Sequence, residues 1–590
     1  MRYLTIILFL FILSGCQKHF LDKVPTEDMT LEEVFAERQY AERFLTSVYF
    51  NLPEELGFHQ WYHRNPFVGA SDDMEITWSG AFGNTMNTGA WNPNNIDNNI
   101  WNFNWEGLRK ANIFLEQIPN TPMDEAAKQR WIGEATFLRA FFHFLLARTH
   151  GAIPIVDRAY TQDEDFGIIK QRPIDEVAQF IAAECDVAAS LLPDRITKDQ
   201  LGRPCKSSAL ALKSRVLLYW ASPLWNGNPD YKSFVNVDGE NLYSGTADPA
   251  RWTVAANAAE EAITTAEAAG YKLYQENADP VANYHDIFMK NYNSEVLFAR
   301  NMGAYKESEG ASTPNGMGGY GGYCPTQELV DAYEMENGET PIVGYEAGGK
   351  PIINERSGYV ETGYATQDHP KGWYLTDTRN MYARREPRFY ASIHFSGAYW
   401  RTRRIEFWNS GRDGRGGNAV DHSVTGYLVR KFSDEDVNIP QNIYTNKTWI
   451  YFRLGELYLN HAEALNEAEG PTGMVYSRVN AIRNRAGLPN LPTGLSQDQM
   501  REKIRHERRI ELAMETHRYF DTRRWKIAAE TDGGDFYRMS IDKGNSLTDD
   551  AFYVRTFMKK RVFDKQKHYL WPIPQGELNK TPSLVQNPGW

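Results

Sequence analysis

Apolar residues recur at i, i+3, i+4 spacing along nine stretches of the chain. This predicts amphipathic helices at 31–50, 106–117, 124–149, 174–192, 207–221, 251–268, 450–469, 474–485 and 496–516. The ends carry matching signals. Thr30 with Glu33 has capping-box spacing, Ser496 or Asp498 opens the last helix, and Gly151, Gly270 and Gly487 stand where helices should stop. The helices fall in two blocks, 30–270 and 450–530. Between them, residues 271–449 are rich in Gly, Tyr, Asn and Thr, with β-like runs at 295–299, 388–395 and 425–432. A Gly/Asn/Trp-rich stretch at 69–104 interrupts the first block. Long irregular stretches of this kind are more often functional than idle. Tyr451-x2-Leu454-Gly455-x2-Tyr458 has the opening spacing of a tetratricopeptide helix, although Glu467 falls where that pattern wants a small residue.

The N-terminus is of another kind. Met1-Arg2 is followed by an apolar run at 4–13, too short to cross a bilayer, where roughly 18 residues are needed. Leu13-Ser14-Gly15-Cys16 then resembles a bacterial lipobox. Residues 1–15 are expected to be a lipoprotein signal peptide, and Cys16 to be acylated and to anchor the chain to a membrane. Cys185, Cys205 and Cys324 remain. They show no CxxC and no Cys/His ligand spacing, so no structural zinc is indicated, and a Cys185–Cys205 bridge stays open. No EF-hand pattern occurs, and no cofactor is expected.

Composition narrows the function. Among 590 residues the net charge is −12, which argues against a general nucleic-acid binder. Hydrophobic residues make up 42%, enough for a large core, and aromatic residues 13%, with 16 Trp and 32 Tyr. Rings with polar edges suit half-wet places such as ligand surfaces.

Several segments in order resemble the SusD/RagB family of outer-membrane lipoproteins. They are Phe20-Leu21-Asp22-Lys23-Val24-Pro25, Gly133-Glu134-Ala135-Thr136-Phe137-Leu138-Arg139-Ala140 running to Gly151-Ala152-Ile153-Pro154, and Asp377-Thr378-Arg379 with Arg385-Glu386-Pro387-Arg388. Further on come the segments 458–468 and 479–488, then Arg508-Arg509-Ile510-Glu511-Leu512-Ala513-Met514-Glu515 through Arg518, Asp521 and Arg524-Trp525. The last are Leu570-Trp571-Pro572-Ile573-Pro574 and Asn587-Pro588-Gly589-Trp590. Thr516 replaces the family's usual Gly. The resemblance implies a mostly α fold, a single domain over 16–590 in which tetratricopeptide-like helix pairs form a scaffold and irregular insertions at about 69–104 and 271–449 carry the ligand. It implies a non-enzymatic protein on the outer face of the outer membrane that captures oligosaccharides, or peptides, for a SusC-type TonB-dependent transporter.

Ligand contacts are sought among the loop aromatics, because a pyranose packs its C–H face on a ring and needs short polar partners for its hydroxyls. The candidates are Trp78, Trp91, Asn92 and Asp73 in the first insertion and Tyr320, Tyr323, Trp400, Arg401 and Trp408 in the second. Trp101 and Trp105 lead into a helix and read as core. Arg401, Arg403, Arg404, Arg412 and Arg415 suit either anionic sugars or a solvated face. The pairs Arg508/Glu511, Glu515/Arg518 and Arg518/Asp521 are three apart and suit structural salt bridges on one helical face.

Gly316-x-Gly318-x-x-Gly321 lacks a strand–turn–helix context, and His59/His63 lack a third metal ligand. No catalytic residue is marked. Two other functions fit the same residues: a lipid-anchored glycoside hydrolase, and a structural lid for the transporter without a ligand site of its own.

Overall fold

The computed structural model describes residues 29–590 apart from 59–64 and 162. The signal peptide at 1–15, the lipobox Cys16 and the His59/His63 pair lie outside the described residues. The main helices are α1 (Arg38–Tyr49), α2 (Asn98–Gln117), α3 (Glu125–His150), α4 (Ile174–Leu191), α5 (Lys206–Ala221) and α6 (Ala250–Ala268). After the short α7 (Gln327–Ala332) come α8 (Leu454–Glu469), α9 (Gly473–Arg485), α10 (Gln497–Glu511) and α11 (His517–Arg524). Each long helix packs on the next: α2 on α3, α3 on α4, α4 on α5, α5 on α6, then α6 on α8 and α8 on α9 and α10. This serial packing of neighbours is the logic of helix-pair repeats, and the mostly helical architecture agrees with the sequence reading.

Local chemistry explains the helix ends. Thr30/Glu33 and Ser496/Gln499 both form complete capping boxes. Gly151, Gly270 and Gly487 take φ of 77°, 84° and 75° just past their helices. Three boundaries differ from expectation. The helix expected at 31–50 breaks at Glu37, whose backbone is extended. The start of the helix expected at 450–469 is instead the end of a strand, since an unbroken apolar run suits either element and its neighbour decides. The β-like run at 388–395 opens as a helix, Pro387–Ser392, because Pro387 at the first helical position is preset for one.

Gly151 allows a clean test. A Cβ there would lie 2.1 Å from the Tyr243 hydroxyl oxygen and 2.8 Å from Leu570, on a backbone that L-residues avoid. Gly151→Ala is expected to cost at least about 2 kcal/mol, combining left-handed backbone strain with overpacking. At Gly470, φ is 84° and ψ −169° and no atom lies within 4 Å, so Gly470→Ala should cost the backbone strain alone, about 1–3 kcal/mol, and less than Gly151→Ala. Denaturant midpoints compare the two.

Short strands tie the insertions down, among them β1 (Met74–Ile76), β2 (Val296–Ala304), β3 (Tyr323–Pro325), β4 (Ile342–Tyr345), β5 (Pro351–Ile353), β6 (Asn446–Arg453), β7 (Gly534–Met539) and β8 (Arg555–Arg561). The antiparallel pair β2–β6 clasps the second insertion at its two ends. The pair β1–β3 fastens the first insertion onto the second, with Glu75 opposite Cys324. Arg561 of the β7–β8 hairpin reaches across to Glu75, its Nε and Nη2 donating at 3.0 and 2.7 Å. The three described cysteines are free and buried, so Cys185 and Cys205 are not bridged.

The charged segment after residue 507 departs most from expectation. Helix α10 ends at Glu511, and Met514 and Thr516 take φ of 64° and 70° before α11 begins. Thr516 thus occupies a left-handed position, which is where a glycine is favoured. The break undoes the expected helical pairing. Arg508 pairs with Asp521 at 2.7 Å, Glu515 with Arg453 and Lys431 at 2.8 and 2.7 Å, and Arg518 with Asp72 at 2.7 Å. These pairs are long-range and buried rather than neighbours on an exposed face.

Candidate ligand-binding surface

The β1–β3 pair brings Trp78 and Tyr320 from separate insertions to one place. Beyond β1, Thr77 N–H donates to the Gly322 carbonyl at 3.0 Å, and the Thr77 hydroxyl lies 3.0 Å from the carbonyls of Gly321 and His422. Trp78 then lays its ring on Gly322, where a Cβ would be 2.1 Å from the indole. Only glycine admits that approach. The indole Nε1 donates to Asp421 at 3.1 Å, and Asn84 holds the Trp78 carbonyl at 2.9 Å. Tyr320 lies on Gly310 in the same manner, and its N–H donates to the Gly310 carbonyl at 2.7 Å. Trp78 is half-buried and Tyr320 is 48% exposed. Asp421 is half-buried, in a turn where the Asn418 side chain accepts from the N–H groups of Val420 and Asp421. The result is a half-buried indole with a polar partner and, two residues before the glycine it covers, an exposed tyrosine ring, the kind of ring that meets a sugar face. Asp421 was not legible locally, because it lies 343 residues from Trp78.

Four other aromatic candidates are buried, at exposures of 3% (Trp91), 0% (Tyr323), 1% (Trp400) and 8% (Trp408). These corrections have specific causes. Trp91 sits among Phe82, His568, Trp571 and Trp590, with ring centroids 4.6–6.4 Å away. Tyr323 belongs to β3, and its hydroxyl accepts from Phe58 N–H at 3.1 Å. Trp400 is packed against His394, with its ring centroid 4.5 Å away, and the guanidinium groups of Arg401 and Arg430 each lie 5.3 Å from its ring. Trp408 lies under Gly544. The neighbour of Trp400, Tyr399, is 56% exposed.

The polar candidates are engaged as well. Asn92 is exposed but closed on its own turn, accepting from Asn94 N–H at 2.9 Å. Asp73 is buried and paired with Arg509 at 2.8 Å. Burial pushes its carboxyl up to about 6 against the pull of Arg509, whereas Arg509 and Arg518 overcome burial at Asp72 and hold it near 2. Four of the five clustered arginines are paired with carboxylates, Arg401 with Glu309 at 3.6 Å, while Arg404 donates to the Thr376 carbonyl at 2.9 Å. Arg403 grips Asp413 through two bonds of 2.6 and 2.7 Å, Arg412 pairs with Glu406 at 2.6 Å, and Arg415 pairs with Asp542. Arg401, at φ 53°, donates to the Asp434 carbonyl at 2.9 Å. Trp101 is core as expected. Trp105 is half-buried and lines a cavity of about 340 Å³ with Tyr160 and Phe166.

Comparison with known proteins gives this surface its setting. Residues 270–590, more than half of the chain, match the family model described as "SusD family". The chain belongs to the SusD family. Residues 19–218 match a second SusD-like model, described as "Starch-binding associating with outer membrane". This SusD-family chain is 21% identical to SusD-like protein P25 of Formosa agariphila over 82% of its own length and 78% of the relative's. SusD-like protein P2 of the same organism is 33% identical, over only 25% of this chain and 26% of the relative.

A solved SusD-like protein from Bacteroides fragilis superposes with a TM-score of 0.74 at 26% identity, covering 94% of this chain and 98% of that one. A laminarin-binding SusD-like protein superposes at 0.58 with 21% identity, covering 94% and 100%, which shows the shared fold. Among the described residues no helix is long and apolar enough to cross a membrane.

Proposed function

We propose that this SusD-family protein is a lipid-anchored outer-membrane component that captures oligosaccharides and delivers them to a TonB-dependent transporter without chemical change. The observation that carries the reading is that the β1–β3 pair brings the Trp78 indole, tied to Asp421, onto the loop that carries the exposed Tyr320. The starch-binding description of the N-terminal match and the laminarin-binding neighbour favour a glycan over a peptide. Acylation of Cys16 would supply the anchor.

Calorimetry with malto- and laminari-oligosaccharides tests the site. Tyr320→Ala and Trp78→Ala are each expected to weaken binding about tenfold, equivalent to about 1.4 kcal/mol for one stacked ring. Asp421→Asn, which disturbs only the orientation of the indole, should cost less. Unchanged affinity in both ring variants would place the ligand elsewhere, and appearance of shortened glycans on long incubation would overturn the non-enzymatic reading. Co-purification of a transporter barrel with the full-length lipoprotein, lost in a Cys16→Ala strain, tests the anchor and the partner.

A further inference from the structure

The cavity of about 340 Å³ beside Trp105 shares no lining residue with the Trp78–Tyr320 surface. Its walls come from α2, the segment 154–160, the turn at 166–169 and the C-terminal residues 577–584. Each wall is pinned. Along α2, Arg109 donates to the Tyr160 carbonyl at 2.7 Å, the Asn112 amide donates to the carbonyls of Val156 and Arg158 at 3.0 Å, and Ala159 N–H donates to Glu116 at 2.7 Å. On the far side the Ser583 hydroxyl donates to the Ile169 carbonyl at 2.6 Å, and Val585 N–H donates to Gln171 at 2.8 Å. The cavity is thus held open by the fold itself. Its volume falls in the range of small-molecule sites and is more than twice the roughly 150 Å³ that holds one benzene ring.

The lining sets the chemistry of what can enter. Trp105, Tyr160 and Phe166 supply rings, and Leu108, Val156 and Leu584 supply aliphatic wall. Phe166 is exposed, as is Ile168 two residues on. Apolar surface left open to water in a concave site suits a ligand with an apolar body. Three charged side chains stand in the same lining. Arg158 grips Glu164 through two bonds of 3.0 and 2.5 Å, with its guanidinium 3.9 Å from the centre of the Tyr160 ring. Glu577 pairs with Lys580 at 2.9 Å. Arg109 is the one of the three without an ion partner among the described residues, and the Tyr160 carbonyl takes one of its five N–H donors.

We propose that this cavity binds a small aromatic carboxylate of the hydroxycinnamate kind, with its ring against Trp105 and Phe166 and its carboxylate on Arg109. A guanidinium fork meets a carboxylate through two parallel bonds, so Arg109 fixes one end of the ligand. A flat aryl body gains contact with rings and aliphatic walls alike and asks them for no hydrogen bond. A sugar acid offers the same carboxylate. Its hydroxyls, however, would leave water for Leu108, Val156 and Leu584, which neither donate nor accept. A cationic ligand would face the unpaired Arg109.

Calorimetry on the full chain, with 4-hydroxycinnamate, its methyl ester and glucuronate as probes, tests the proposal. The aromatic acid is expected to bind, and the ester and glucuronate each at least about tenfold more weakly. Arg109→Gln and Phe166→Ala alter exposed side chains outside the core, and each should weaken binding of the acid about tenfold. Asn112 and Glu116 still hold the 154–160 segment after the first of these. Both variants should bind neutral glycans as the parent does, so a failure here is distinct from a failure of the Trp78–Tyr320 site. The proposal is overturned if the acid does not bind at millimolar concentration, if the ester or glucuronate binds as tightly, or if either variant binds the acid unchanged.

Discussion

Replacing Glu511 with Gln is expected to destabilise the protein by about 3–5 kcal/mol, the usual cost of removing one partner from a buried ionic contact. The Glu511 carboxylate, wholly buried, accepts from Arg388 at 3.1 Å, from Arg453 at 2.7 Å and from Arg485. The three arginines overcome the cost of its burial and hold its carboxyl far below the usual carboxylate range. After the substitution Arg388 keeps Glu386 and Glu507, and Arg453 keeps Glu295 and Glu515, but Arg485 keeps only Glu295. The loss therefore concentrates at Arg485. Glu334 supplies the contrast. It belongs to the same buried network, where burial pushes its carboxyl up to about 7 despite Arg483 at 3.0 Å. Glu334→Gln removes a group that is already half protonated at neutral pH and should cost less than about 1 kcal/mol, near the worth of one neutral hydrogen bond. Denaturant unfolding at pH 7 compares the two. Equal losses, or a loss under about 1 kcal/mol for Glu511→Gln, would show that the network does not hold the fold in this way.

Acidification from pH 6.5 to 5 is expected to remove stability on the order of 5 kcal/mol, mostly before the carboxylates of the unfolded chain protonate. Burial lowers His143 and His568 to about 4 and His150 and His285 to about 3. It also lowers His394, His506 and His517 well below the usual range, helped by nearby cations. In this window the unfolded chain binds protons at these imidazoles and the folded chain does not, so stability falls with falling pH.

Raised carboxyls oppose the trend, because they hold protons only in the folded state. They are Asp73 near 6, Glu334 near 7 and Glu328 near 8, with Glu134, Glu386 and Asp532 raised as well. Seven strongly lowered imidazoles exceed three strongly raised carboxyls, and each net proton is worth about 1.4 kcal/mol per pH unit. Below the unfolded carboxylate range the sign stays the same. Asp72 and Glu463, each held near 2 by arginines despite burial, lose their stabilisation as pH falls toward 2. Tryptophan fluorescence across urea titrations at pH 6.5, 6 and 5 reads the slope, and a flat profile over that range would contradict it.

The helical scaffold was legible because its cause is local. Periodicity marked α3 to α6 within a residue or two of their ends, and Thr30/Glu33 and Gly151 punctuated them as expected. Boundaries failed where a distant partner decides. The run at 446–453 is a strand because β2 lies beside it, and beyond Glu511 the chain turns through Met514 and Thr516 at positive φ, placing Glu515 and Arg518 against distant partners. The proposed ligand surface was half legible. Trp78 and Tyr320 were nameable from their polar, glycine-rich surroundings. Nothing near Trp91 announced that Trp571 and Trp590 would close over it, and nothing near Trp400 announced Arg430.

Spacing within a turn or two of chain was enough for the helix-pair scaffold and for the two insertions that lack it, while the family came from motifs that resemble it in order along the chain. Only the tertiary structure decided which rings face solvent and which charges are matched. Burial and ion pairing depend on groups brought from hundreds of residues away, as Trp78 and Asp421 show. A side chain's own neighbours in sequence carry no record of them.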